Sequence, residues 1–314
     1  MNKREPSVAT PLSFGERLTV FAWRRVLMPF ITMIGGSSAP RGRVREQRYG
    51  TLPDEVLDVI APTPGVAPRT PVIFIHGGGW IAGSKGSFYN RPLLKLADAG
   101  HQVFSLNYPL APERPHPYML RSLLGGLAWI ARTHGVREVH LIGDSAGGNL
   151  ATMLGLMIAN PELLPRFDAI DPATLPAIRS ITSLYGVMDR FTFIEDGFPS
   201  GRLFLKAYAG ENVLDAAQRL AIPVTPTDME LVAIVPPTFL GAGTKDKLAR
   251  SSGLYAEHLR AHGARVIYRT YEGADHGFFS FGGPEGDALR ADVTQFLAEI
   301  ETTQDVRSPQ TMRR

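Results

Sequence analysis

The chain has 314 residues, 44% of them hydrophobic and 20% charged, the balance of a globular protein with a core large enough for one sizeable α/β domain. Its 33 basic residues face 30 acidic ones, and the net charge of +3 provides no dense basic surface of the kind nucleic acids require. Cysteine is absent, which excludes disulfides, thiolate catalysis and cysteine-ligated zinc without fixing the compartment.

Residues 1–12 carry no pattern and are expected to fray. Residues 14–35 are apolar with a helical rhythm, in which Leu18, Phe21, Val26, Phe30 and Ile34 share a broad stripe. Arg24 and Arg25 interrupt this run, and the apolar stretch after them is too short to span a bilayer. Pro29 and the late arginine pair fit a signal peptide poorly. The expectation is an amphipathic helix packed on the main domain, within an N-terminal cap segment 1–42. A signal or a peripheral membrane contact through residues 14–35 is the alternative. The expected location is therefore cytoplasmic, with export or membrane association as alternatives; a homodimer is left open. Arg41, Arg43, Arg45 and Arg48 alternate like one solvated face of a strand, not like a nucleic-acid or lipid site.

From residue 43 onward, short β-rich runs alternate with helical ones. Strands are predicted at 43–48, 55–60, 72–75, 102–106, 138–142, 179–184, 238–241 and 266–270. Helices are predicted at about 90–98, 117–133, 146–159, 250–262 and 285–300. Several strands are nearly all apolar, as strands buried on both faces should be. The alternation predicts an eight-stranded, mostly parallel sheet with helices on both faces. This main domain takes 43–185 and 227–301, and 302–314 is a tail. Residues 186–226 break the alternation with Phe191, Phe193, Phe198, Phe204 and Tyr208, and are expected to form a helical cap insertion.

The strongest motif is Gly143-Asp144-Ser145-Ala146-Gly147, followed by Gly148 and Asn149. An apolar strand precedes it and a helix-forming run follows, the framing of a nucleophile elbow in which close neighbours must be small. Ser145 then sits at a helix N-terminus, where developing negative charge is favoured. The second motif is His76-Gly77-Gly78-Gly79-Trp80, directly after a strand. Glycine N–H groups approach a reacting oxyanion closely, so the oxyanion hole is assigned to Gly78, Gly79 and Ala146. Gly77 shapes the turn and His76 orients the loop. Gly77, Trp80 and Asp144 are taken as pocket residues, with a core role for Trp80 as the alternative. No Gly-Lys-Ser/Thr ending follows, which argues against a phosphate loop.

A nucleophilic serine needs a base, and eight histidines are available. His101, His134, His258 and His262 are read as solvated, His140 as packed in a strand, and His116 as part of a proline-rich turn. His276 lies in a loop after the last predicted strand, where active-site loops of parallel sheets converge, and is the expected base. Asp246 follows the preceding strand and is the expected acid. Asp275 and Asp144 are rivals, but each adjoins in sequence the residue it would have to face. The order Ser145, Asp246, His276 is that of α/β-hydrolases. Neither a metal site nor a cofactor is expected, for no metal-ligand spacing occurs.

These motifs resemble the bacterial hormone-sensitive-lipase-like (family IV) carboxylesterases. Tyr108-Pro109-Leu110-Ala111-Pro112-Glu113 is similar to that family's Tyr-Arg-Leu-Ala-Pro-Glu segment, and His276-Gly277-Phe278 to its C-terminal signature. The resemblance covers about 70–279. Residues 49–59 also resemble acetyl-esterase and arylformamidase-type relatives. Two departures stand out: Pro109 replaces an arginine and removes a structural salt bridge, and Lys247-Leu248 replaces Pro-Leu after Asp246. The resemblance implies the α/β-hydrolase fold, a cap, a small-molecule ester substrate with a short acyl chain, and no cofactor. An amide or formamide hydrolase with the same triad, and a non-catalytic ligand-binding member of the fold, are the competing readings.

Overall fold

The computed structural model describes residues 11–40, 42–167, 170–215, 220–229 and 233–305. Arg41 of the arginine cluster, most of the fraying N-terminus and residues 306–314 of the tail lie outside the described residues.

Among the described residues eight strands form one sheet: β1 (Val44–Arg48), β2 (Val56–Ile60), β3 (Arg69–Ile75), β4 (His101–Leu106), β5 (Glu138–Asp144), β6 (Ala177–Leu184), β7 (Thr238–Gly243) and β8 (Val266–Tyr271). Their order across the sheet is β1-β2-β4-β3-β5-β6-β7-β8. β2 pairs antiparallel with β1 and β4, and every other neighbouring pair is parallel. The two-residue period of a strand divides the core into two layers. On β3, Ile73 and Ile75 face one apolar cluster while Val72 and Phe74 face the other. β4 repeats this with Phe104 and Leu106 against Val103.

Helices cover both layers. The run 14–35 consists of α1 (Phe14–Ala22), a π-helical turn (Trp23–Leu27) and α2 (Met28–Gly35). The others are α3 (Ser87–Asp98), α4 (Tyr118–His134), α5 (Ala146–Ala159), α6 (Arg190–Glu195), α7 (Gly201–Ala209), α8 (Ala249–Ala261) and α9 (Pro284–Asp305). Leu120, Leu123 and Leu127 of α4 pack with Leu150 and Leu154 of α5 on one face; Leu93 and Leu96 of α3 pack with Leu289, Val293 and Phe296 of α9 on the other. At about 1.5–3 kcal/mol for each fully buried aliphatic side chain, these two layers hold the fold.

α1 starts where a capping box allows it: Ser13 N–H donates to the Glu16 carboxylate at 2.7 Å and Ser13 Oγ accepts from Glu16 N–H at 3.3 Å. The helix is fastened mainly by its polar groups. Arg24 donates to the carbonyls of Ile81 and Ala111 and makes two bonds, at 2.8 and 2.7 Å, to Glu113. Lys206 of α7 pairs with Glu16 at 3.0 Å. Glu113 thus takes its arginine partner from the N-terminal helix.

Two expectations need correction. His101, read as solvated beside a helix, is the first residue of β4 and fully buried, its Nδ1–H donating to Thr70 O at 2.7 Å. The strand begins one residue earlier than predicted and draws the ring into the sheet. The tail expected from 302 begins later, since α9 runs to Asp305; Thr302 and Thr303 hydroxyls bond the Glu299 carbonyl, and no Gly or Pro intervenes to stop the helix.

Candidate active site

β5 ends at Asp144 and α5 begins at Ala146, so Ser145 alone makes the turn. Its backbone is left-handed, φ 52° and ψ −121°, a conformation L-residues adopt only when their surroundings enforce it. The enforcement is steric. A Cβ on Gly143 would lie 2.1 Å from Gly147 O, and one on Gly147 would lie 2.1 Å from Ile75 O. Ser145 N–H is held by Leu184 O of β6 at 2.8 Å.

The loops after β7 and β8 bring the partners. His276 Nε2 lies 2.9 Å from Ser145 Oγ, and its Nδ1 lies 2.9 Å from Asp246 Oδ2. The other Asp246 oxygen accepts from Leu248 N–H at 2.8 Å, which fixes a fully buried carboxylate against the ring. With Nδ1–H donated to Asp246, Nε2 is free to accept the Ser145 proton. Tyr185 and Phe198 meet the imidazole edge-on at 4.9 and 5.0 Å. Asp275, the rival acid, accepts the His276 backbone N–H at 2.7 Å, and the ring nitrogens take Asp246 and Ser145 instead.

The glycine loop after β3 forms the facing wall. Gly78 (φ 113°) and Gly79 (φ 59°) need left-handed backbone, and neither N–H has an acceptor among the described residues. The same holds for the N–H of Ala146 at the start of α5. Gly77 N–H donates to Asp144 Oδ1 at 2.7 Å, which ties this loop to the elbow. Tyr89 O–H donates to the other Asp144 oxygen at 3.2 Å. Burial raises the Asp144 carboxyl to about 6, even though the Gly77 N–H favours its charged form. His76 is fully enclosed, stacks on Tyr108 at 4.4 Å and donates from Nδ1 to Gly77 O at 2.7 Å.

A cavity of about 160 Å³ opens on Ser145 and His276, walled by Gly78, Gly79 and Asp144, by Trp23, Met28 and Ile31 of the N-terminal helix, and by Phe193, Phe198 and Phe204 of the insert. A wider groove of about 660 Å³, between that helix and the start of α3, does not reach Ser145. Of the three expected pocket residues, Asp144 lines the cavity and two do not. Trp80 is fully buried, its left-handed backbone (φ 61°) setting its indole against Tyr208 at 4.3 Å and behind Phe193. Gly77 is withdrawn by its bond to Asp144. Sequence reasoning missed Tyr89, in a helix with no motif, and gave Asn149 no task. Asn149 is fully buried and donates to the carbonyls of Val187 and Val224, pinning the two ends of the insert beside the elbow.

His101, His140 and Glu301 alone among the described residues cluster in a way that suits a metal, with ligand atoms within 4.8 Å of one another. His101 and His140 lie near the start of β4 and β5, opposite the end that carries Ser145, and Glu301 of α9 already bonds His140 at 3.2 Å.

Residues 72–280, about two thirds of the chain, match the family described as alpha/beta hydrolase fold. The chain belongs to this family. Similar proteins include carboxylesterase NlhH of Mycobacterium tuberculosis, 29% identical over 77% of this chain and 77% of its own length. Esterase LipC of the same organism is 26% identical over 82% of this chain and 65% of its length. Among solved structures, esterase B of Lactobacillus rhamnosis superimposes with a TM-score of 0.81 at 18% identity, covering 93% of this chain and 97% of that one. The fold is thus shared even with distant members, in keeping with the hormone-sensitive-lipase-like motifs.

Two outcomes are expected. Burial holds His76 and His101 at about 4 and His116 at about 3, against an ordinary 6.5, so the unfolded chain takes up protons that the folded chain refuses as pH falls below 6.5. Asp144 acts oppositely between about 6 and 3.8, where only the folded chain binds its proton. Three groups outweigh one, so the melting temperature should fall between about pH 7 and about pH 4.5, and more steeply in Asp144→Asn. A melting temperature that is flat or rising toward acid would refute this. In Gly78→Ala the new Cβ would meet Ala82 O at 2.2 Å, and kcat should drop by about 100-fold or more with KM little changed.

Proposed function

We infer that this chain is a serine carboxylesterase in which Ser145 is the nucleophile, His276 the general base and acid, and Asp246 the orienting acid. The observation that carries this reading is the continuous line of hydrogen bonds from Asp246 through His276 to Ser145, each 2.9 Å. Ser145 Oγ attacks the ester carbonyl as its proton passes to His276 Nε2. The Nδ1–H bond to Asp246 stabilises the imidazolium that results. The carbonyl oxygen, now an oxyanion, takes the unpaired N–H groups of Gly78, Gly79 and Ala146. Collapse of this intermediate expels the alcohol, which leaves with the proton from His276. Water then enters, gives a proton to His276, attacks the acyl-serine, and the acid departs as Ser145 regains its proton.

The enzyme hydrolyses carboxylic esters, and its similarity to a named carboxylesterase favours esters over amides and over a non-catalytic role. The small cavity supports short acyl chains. Its volume of about 160 Å³ is well under the ~300–1,000 Å³ of drug-sized sites, and its walls are mostly apolar aromatic and aliphatic side chains.

On p-nitrophenyl acetate, butyrate, octanoate and palmitate, turnover should peak at the short esters. Ser145→Ala should lose a thousandfold or more in kcat, and Asp246→Asn should lose about as much as it keeps the shape but not the charge. A Ser145→Ala variant as active as the parent would end the acyl-enzyme reading. A Phe198→Ala variant should shift the optimum to longer chains by enlarging the cavity wall.

A further inference from the structure

We propose that the outward face of the helix 14–35 docks on an anionic lipid surface and lies flat on it, placing the mouth of the ester cavity at the lipid boundary. Eight of the twelve large hydrophobic residues exposed among the described residues belong to this helix. Phe14 and Met33, near its two ends, are 77% and 73% exposed, and Leu18, Phe21, Val26 and Phe30 lie between them. Scattered exposed apolar residues need no explanation, but eight of them gathered on one helix of 22 residues mark an interaction surface.

Charge identifies the partner. Glu16 and Arg24 are turned inward and neutralised by Lys206 and Glu113. Arg17 and Arg25 are exposed and make no ion pair among the described residues, so the outer face carries uncompensated positive charge. An apolar face flanked by arginines suits a surface of anionic headgroups. It suits a second copy of the chain poorly, because a two-fold interface would set the same cationic face against itself.

The helix lies on such a surface and does not cross it. Crossing would pull Arg24 from two carbonyls and a carboxylate and drag that charge through hydrocarbon. Its inner side is engaged as well: Trp23, Met28 and Ile31 wall the cavity, and Trp23 meets Phe204 edge-on at 5.1 Å. Lipid and reacting centre are then separated by about one helix diameter, roughly 10 Å. The docking stands on the helix alone. Delivery of esters from the lipid phase rests in addition on the esterase reading.

The full chain should sediment with vesicles of phosphatidylcholine mixed with phosphatidylglycerol, and much less with phosphatidylcholine alone or in high salt. Arg17→Gln with Arg25→Gln, at exposed positions outside the cavity, should weaken partitioning about 25-fold, at about fivefold per charge. Phe14→Ser with Phe21→Ser should abolish it. All variants should turn over soluble p-nitrophenyl butyrate like the parent, so an inactive parent would fault the esterase reading and leave sedimentation as the measure of docking. The proposal is overturned if the parent stays in the supernatant with mixed vesicles. It is also overturned if neutral vesicles bind equally, or if the phenylalanine variants merely convert a dimer that ignores vesicles into a monomer.

Discussion

Backbone pressed against backbone at the carboxyl end of β3 and β5 is the constraint on which the site depends. The elbow fits because Gly143 and Gly147 leave no side chain between the turn and the carbonyls beside it, where a Cβ would approach to 2.1 Å. Overpacking a rigid core costs about 1–3 kcal/mol when flexible side chains can yield, and backbone yields less. That pressure holds Ser145 in its left-handed conformation, and it brings Asp144 close enough to take the Gly77 N–H. Ser145 and the glycine loop are therefore positioned by one contact. Preorganisation of this kind is what makes hydrogen-bond donors effective catalysts, since nothing has to reorient as charge develops.

Much of this was legible in the sequence because it is written in short-range patterns. The alternation of Val72 and Phe74 with Ile73 and Ile75 is a local signal, and the structure distributes them to the two layers that alternation implies. Glycine spacing around Ser145 is local too. Asp246 and His276 could be picked out because loops after parallel strands converge at one end of a sheet, a rule of topology that needs no contact map. Trp80, His101, Tyr89 and Asn149 escaped for a common reason. What each does is decided by a residue far away in the chain: Tyr208 for the indole, Thr70 for the buried imidazole, Asp144 for the tyrosine hydroxyl, and Val187 with Val224 for the amide. No periodicity reports a contact of that kind.

The N-terminal helix is the place where composition alone misleads most. Taken as one helix of 22 residues it is long and apolar enough to cross a membrane despite the arginine pair that divides it, yet Arg24 binds the carbonyl of Ile81, just past the glycine loop, and the carboxylate of Glu113. The π-helical turn at Trp23–Leu27 widens the helix where Trp23 faces the cavity and Arg24 faces the main domain. Single π-helical turns of this type recur at functional sites.

The cavity wall has an origin distinct from that of the machinery it encloses. Ser145, His276, Asp246 and the glycine loop hang from strand ends, whereas Trp23, Met28 and Ile31 and the three phenylalanines come from segments that contribute no strand. Mutational drift in the wall is thus largely separate from drift in the residues at the strand ends, and new specificities are open to the lineage at small cost to the sheet. Phe198 touches that machinery through its edge-on contact with His276 at 5.0 Å, and Phe204 is coupled more closely still, for its ring fills the space a Cβ on Gly79 would occupy, 2.7 Å away. Selection at that position answers to both halves at once, and directed evolution of the acyl pocket should find it the least permissive of the three phenylalanines.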